Sequence, residues 1–393
     1  MKKKVFFYNS GQRHNAYEHM IANSPEGFEL IASQNMIFGE QKPTQAKQSS
    51  LIGKLMKRLQ PRISPAYNLF RIYTNSPKIR PFNQEGYDLV HSCQSLLDTE
   101  YPWVVDFEHA TAFSGFNQFA FYRSGFRNAL KSRLLDSKLK KLISWSEAAK
   151  GSLLNFINDS QLKQKTETVY AVISPPKNNT KRSHAGINFL FIGKFFYEKG
   201  GLETVIAFDK ISKKYDCTLT VVSPTPEKVK SQFKNNKKIF FMENIPWHSL
   251  EELYLTSDVL VFPTHFDTFG FVIAEAFSYG IPVISVDSFS TPELVTNNRN
   301  GLIVKSFYSS FLPNYAYRYN TSSELAKFRL EACMHPTEQY IESLSEKMVQ
   351  LIEDGALRKA LSKNAYSETI KGKFSPIVWK SKMKRIYEEA LRR

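Results

Sequence analysis

Cysteine is scarce in this chain. Cys93, Cys217 and Cys333 are odd in number and far apart, and their spacing suits neither a disulfide framework nor a cysteine-ligated metal. Long hydrophobic runs are missing as well. No stretch approaches the roughly 20 apolar residues that span a bilayer as a helix. The opening MKKKVFFYNSGQ has a charged head but only four apolar residues before polarity returns, which suits a first β-strand and not a signal peptide. Internal repeats and low-complexity tracts are absent, and no His/Asp/Cys cluster has metal-site spacing. These absences lead us to expect a soluble chain in a reducing, cytoplasmic compartment.

What is present begins with size and charge. The 393 residues exceed one typical core, so two domains are expected. Aromatic residues make up 14% and the formal net charge is +16. Residues 41–84 carry nine basic side chains and no acidic one, a field that favours anionic lipid headgroups or nucleic acid. No nucleic-acid recognition motif accompanies the charge, so only nonspecific binding of that kind follows from it. SSLIGKLMKRLQPRIS (49–64) places Leu51, Ile52, Leu55, Met56 and Leu59 on one helical face beside Lys54, Lys57 and Arg58. That pattern suits either a helix lying on an anionic membrane or a surface helix covering its own core. The stretch 113–142 repeats the basic-aromatic mixture, with phenylalanines better suited to a core than to lipid.

Apolar runs alternate with helical patterns along the chain. In the second half, INFLFIG (187–193), CTLTVVS (217–223), KIFFM (238–242), VLVFP (259–263) and PVISVD (282–287) read as strands. Leu202, Val205, Ile206 and Ile211 mark a helix face between the first two, and SLEELYLTS (249–257) predicts a short helix. In the first half, KVFFY (4–8), YDLVHS (87–92), WVVDF (103–107) and KKLISWS (140–146) read as strands. Strands alternating with helices predict an α/β fold with parallel, doubly wound sheets, whose ligands sit at the carboxyl ends of strands. Turn and polar residues collect at 170–185, which predicts a hinge there. The expected domains are 1–175 with a final helix at 376–393, and 182–375.

Two segments carry the chemistry. FDTFGFVIAEAFSYGIPV (266–283) opens on Asp267, has Phe269-Gly270-Phe271 at an expected helix start, places Glu275 after seven intervening residues, and stops at Gly280-Ile281-Pro282. Amides around residues 269–271 would serve phosphate or sugar oxygens. LFIGKFFYEKGG (190–201) ends a strand at Gly193 and puts Lys194 and Lys199 in the loop before a helix, where the macrodipole disfavours cations.

The first segment resembles the donor-site motif of retaining glycosyltransferases of family 4 (glycosyl transferases group 1), which have the GT-B fold. The match runs from Pro263 through Phe269-Gly270 and Glu275-Ala276 to Gly280 and Pro282-Val283, with Asp267 in place of the usual Glu. The second resembles the family's strand-G-R-…-E-K-G segment, with Lys194 replacing Arg. The resemblance implies two Rossmann-like domains facing a cleft, the last helix crossing back to the first. It implies Lys194 and Lys199 on the diphosphate, Asp267 on the donor sugar, Glu275 on the ribose hydroxyls and the base near Asn244-Ile245. On the acceptor side it implies Ser10 and Gly11 near the diphosphate and Glu108 and His109 near the sugar; a structural imidazole is the other reading of His109. The implied reaction is transfer from a UDP- or GDP-linked sugar to a glycan or lipid-linked acceptor, with retention and without a metal or other cofactor. Peripheral contact with an anionic membrane would run through residues 49–64. A GT-B nucleotide-sugar epimerase and a catalytically degenerate GT-B binding scaffold are the alternatives. The connection 305–337 is longer than the family's usual one and has no assigned role.

Overall fold

The computed structural model describes residues 1–9, 15–32, 77–177, 180–319 and 333–392, together with Glu324, Lys327 and Phe328. The expected helix at 49–64 and the residues Ser10 and Gly11 lie outside these. The chain divides into two units: residues 1–145, 149–169 and 380–393 form the first, and residues 146–148 and 170–379 the second.

The first unit is built on a parallel sheet ordered β2-β1-β4-β6-β7-β8. Its strands are β1 (Lys3–Asn9), β2 (Phe28–Ala32), β4 (Leu89–Cys93), β6 (Trp103–Phe107), β7 (Leu139–Ser144) and β8 (Thr166–Thr168). A small parallel pair, β3 (Ile79–Pro81) and β5 (Leu96–Asp98), stands apart from it. Every residue of β4 and of β6 is buried, the mark of a strand covered on both faces. Trp103, Phe107, Phe113, Phe121 and Phe126 fill the core beside them. Phe116, Phe119 and Tyr122 stay exposed in the turns after β6, so the 113–142 stretch divides its rings between core and surface.

The final helix, Pro376–Leu391, joins this unit from residue 380 onward. Buried Tyr387 places its hydroxyl 2.7 Å from His91 Nδ1, and His91 Nε2 lies 3.2 Å from Asp106. Asp106 also accepts from Tyr17 at 3.0 Å and from the Gln94 amide at 3.2 Å. A polar core of this kind is tolerated because each member has a partner.

The second unit repeats the architecture. Its parallel sheet is ordered β11-β10-β9-β12-β13-β14, from β9 (Ile187–Ile192), β10 (Cys217–Val222), β11 (Ile239–Met242), β12 (Val259–Val261), β13 (Val283–Val286) and β14 (Gly301–Val304). The helix Gly201–Ser212 buries Leu202, Val205 and Ile211 of the face marked by the sequence, with Ile206 partly buried beside them. It meets the helix Glu338–Glu353, whose Tyr340, Ile341, Leu344 and Met348 belong to the same core. The strand order steps outward from β9 in both directions. Loops leaving the carboxyl ends of β9 and β12 are therefore neighbours, where such sheets bind ligands.

Candidate donor-nucleotide site

Two loops of the second unit are laced together. The loop after β9 turns through Gly200, at φ 80°, and a Cβ there would lie 2.3 Å from the Pro263 carbonyl oxygen. Glycine is thus required twice over, by conformation and by contact. The Glu198 carbonyl accepts the His265 amide at 2.9 Å and the Phe266 amide at 3.3 Å. Lys199 Nζ then donates to the Phe266 carbonyl at 2.6 Å and to Asp267 Oδ2 at 2.7 Å. Asp267 and Lys199 each keep 16% of their side-chain surface exposed. A cation at a helix start is disfavoured by the macrodipole, and here a carboxylate and a carbonyl offset that.

The other donor-side positions named from sequence lie in loops, or the helix after them, at the carboxyl edge of the same sheet. Gly193 ends β9, its amide donating to the Val222 carbonyl at 3.1 Å. A Cβ on Gly193 would fall 2.8 Å from the Lys199 Cβ. Lys194 is exposed, with Nζ 5.8 Å from the Phe195 ring centroid. Asn244, at φ 53°, and Ile245 follow β11 in the loop leading to the helix Trp247–Thr256. The structure thus joins Lys199 to Asp267 directly, while Lys194 stands on the outside of its loop.

The motif helix begins at the aromatic-glycine-aromatic step and stops before Gly280, as its sequence suggested. It runs Phe271–Ser278 after Gly270, leaving Asp267 on the preceding loop. Of the amides expected to serve oxygens of a ligand, that of Phe269 is already donated to Asp267 Oδ1 at 3.0 Å. The acid turns back on its own backbone, as Asp does two residues ahead of an amide, so that amide is committed within the loop. Glu275 lies on the helix, partly buried, and its Oε2 accepts the Tyr254 hydroxyl at 2.9 Å. Burial raises the Glu275 carboxyl above its ordinary value, and the Tyr254 bond lowers it in part.

Sequence reasoning missed the support beneath the loops. His265 and Glu203 are both fully buried, with Nε2 and Oε1 2.5 Å apart. His265 Nδ1 meets the Tyr308 carbonyl at 3.1 Å. The pair ties the first turn of the Gly201–Ser212 helix to the loop carrying Asp267. Its signal was present: an acid four residues after Lys199 and a histidine two before Asp267.

In the first unit, Glu108 and His109 follow β6. His109 is entirely buried and caps a short helical turn, accepting the Thr111 amide on Nδ1 at 3.2 Å. A neutral ring so placed carries its proton on Nε2. The visible task of His109 is structural. Among the described residues, no three His, Cys, Asp or Glu side chains gather as a metal site would, and no helix is long and apolar enough to cross a membrane.

Residues 177–310 match the family described as glycosyl transferases group 1. The match lies within the second unit. A 41.2 kDa uncharacterized protein from the cps region of Klebsiella pneumoniae is 30% identical over 123 residues, 30% of this chain and 32% of that protein. An uncharacterized glycosyltransferase of Methanocaldococcus jannaschii is 25% identical over 184 residues, 42% of this chain and 46% of that one. The chain thus matches less than half the length of these relatives. Among solved structures, Anabaena HepE in complex with UDP and glucose aligns over 99% of this chain and 100% of its own, with a TM-score of 0.59 at 13% identity. With two parallel α/β units, that likeness gives the fold as GT-B. The group 1 match ends at residue 310, inside the long connection after β14.

Proposed function

We propose that the chain is a glycosyltransferase that moves a hexosyl group from a UDP- or GDP-linked sugar to a glycan or lipid-linked acceptor, retaining anomeric configuration. The observation that carries this reading is the Lys199–Asp267 pair, drawn from two loops onto the carboxyl edge of one sheet. Lys199, joined by exposed Lys194, would stabilise the negative charge that grows on the diphosphate as it departs. Asp267 and Glu275 would accept hydroxyls of the sugar and the ribose. The sugar C1–O bond to the diphosphate breaks, a C1–O bond to the acceptor forms, and the acceptor's proton passes to the departing phosphate. The lysine cations supply the electrostatic role that a metal serves elsewhere, so transfer is proposed to need no added metal. Glu108 would face the acceptor, with buried His109 holding the turn behind it.

UDP in the HepE complex supports a uridine donor, and the glycosyltransferase name of the archaeal relative supports the activity. The test is release of nucleoside diphosphate from a panel of UDP- and GDP-sugars by the purified protein, with and without a chelator. Release that survives chelation and disappears in Glu275→Ala is the expected result. Product release that depends on added metal would overturn the metal-free route, and no turnover of any donor would favour a binding scaffold. A cytoplasmic enzyme working at an anionic membrane surface goes with this reading. Flotation with anionic liposomes tests that part, and absence of binding would remove it.

A further inference from the structure

The loop after β14 is long, and its first part, residues 305–319, folds back over the edge of the sheet. Phe311 and Tyr317 form an antiparallel bridge. The Leu312 amide donates to the Ala316 carbonyl at 2.8 Å and the Arg318 amide to the Ser310 carbonyl at 2.8 Å, so the segment is a closed hairpin.

Backbone and hydroxyl groups anchor it at two places. The Ser310 amide donates to the His265 carbonyl at 3.0 Å, and the Tyr308 carbonyl lies 3.1 Å from His265 Nδ1. The Ser309 and Ser288 hydroxyls are 2.7 Å apart, and the Ser306 amide donates to Asp287 at 2.6 Å. The hairpin therefore spans from its own strand, across the loop of β13, to the loop of β12.

An aromatic stack follows the same path. Phe311 lies nearly parallel to Phe266, with centroids 5.5 Å apart and planes at 8°. On its other side Phe289 stacks at 4.2 Å and 24°. Tyr317 leans on both Phe311 and Phe266, at 5.4 and 5.6 Å. Phe311 is 4% exposed, whereas Phe266, Phe289 and Tyr317 keep part of their surfaces. Phe289 is held at φ 48°, a region that bulky side chains adopt only when their surroundings impose it. Phe266 is the residue before Asp267.

We infer that this hairpin is the sugar-side wall of the donor site and selects a neutral hexose; the inference rests on the donor-site reading above. Ring faces next to a carboxylate suit a pyranose, which offers C–H groups to an apolar surface and hydroxyls to an acid. A uronic acid would bring a second carboxylate beside Asp267, and the phenylalanine rings offer nothing to replace its lost hydration. The stacked rings of the hairpin reach the loop of Asp267 through Phe266. The hairpin's contribution is to the sugar and not to the nucleotide.

Calorimetric titration of the full-length protein tests this with UDP, GDP, UDP-glucose, UDP-galactose, GDP-mannose and UDP-glucuronate as probes. Two variants are compared with the parent, Tyr317→Ala and the volume-sparing Phe311→Leu, so that loss of folding in one leaves the other. The parent is expected to bind one nucleoside diphosphate and to prefer a neutral sugar on it over glucuronate by about tenfold or more. In the variants, binding of that diphosphate should stay within about twofold, while the preference among sugars falls about fivefold or more. Equal losses for diphosphate and sugar nucleotide, or an unchanged preference, would overturn the wall and leave the donor site standing. A parent that binds neither UDP nor GDP would overturn both.

Discussion

Lys199 and Asp267 hold each other at 2.7 Å across 68 residues of chain. The cation is also fixed by the Phe266 carbonyl and the acid by the Phe269 amide, so neither side chain needs to search for its position. A diphosphate reaching this edge would meet an oriented ammonium and share it with the carboxylate.

Removing the cation should therefore cost more than neutralising its partner. Lys199→Ala is expected to lower kcat for donor hydrolysis by about 10²–10³, the range seen when a positioned donor to developing charge is lost. Asp267→Asn leaves the Phe266 carbonyl in place and should cost nearer tenfold. Steady-state kinetics on both variants gives the order, and the reverse order would make the acid the principal group.

Gly200 tests the lacing of the loops. Gly200→Ala must carry a side chain at φ 80° and drive its Cβ toward the Pro263 carbonyl. The expected loss of stability is roughly 2 kcal/mol or more, read as a lowered urea midpoint at unchanged slope. A variant as stable as the parent would show that the two loops are free to part.

The buried pair beneath them should leave a mark on stability versus pH. Burial pulls the His265 ring down, but the Glu203 carboxylate and its hydrogen bond raise it above the ordinary 6.5. Glu203, the Tyr308 carbonyl and the rings of Tyr308, Phe328 and Tyr340 surround it. A folded value above the unfolded one means that the folded chain holds the extra proton. The stabilisation is complete below about pH 6.5 and is lost as pH climbs through the higher folded value. Urea unfolding at a series of pH values should show that decline in the parent and a flatter profile in Glu203→Gln. Stability from this pair that rises with pH would contradict the assignment.

The return of the last helix is open to a similar test. Tyr387→Phe removes one hydroxyl from His91 and leaves the ring in its packing against Phe28. A cost of about 1–2 kcal/mol is expected, seen in thermal unfolding. No measurable cost would mean that this hydroxyl does not help to hold the helix.

Much of this architecture is legible in the residues themselves. WVVDF and VLV lie inside parallel sheets covered on both faces, so their strands are mainly apolar runs, with Asp106 the one polar residue, that stand out from the polar helices between them. Lys199 stood out because a cation at a helix start breaks a local preference, and Asp267 stood out through the family resemblance, but neither signal announced that the two would pair. Strand β8 was not legible: Thr166–Thr168 is polar and three residues long, and it gains its place only by pairing with β7. The start of the motif helix was readable from Gly270, but the hydrogen bond from the Phe269 amide to Asp267 was not, since apolar periodicity does not record it. Tyr254 and Phe311 escaped for a different reason. Each reaches its partner through the fold, 21 residues from Glu275 in one case and 45 from Phe266 in the other, and nothing in their neighbours announces the meeting.

Gly193 leaves a gap where any other residue would push against the stem of Lys199. The seat of the ammonium is thus defined partly by a missing methyl. A descendant that filled position 193 would have to rebuild the whole bend after β9 or surrender its grip on an anion, which makes that small residue a sharper marker of a working site than the lysine it accommodates.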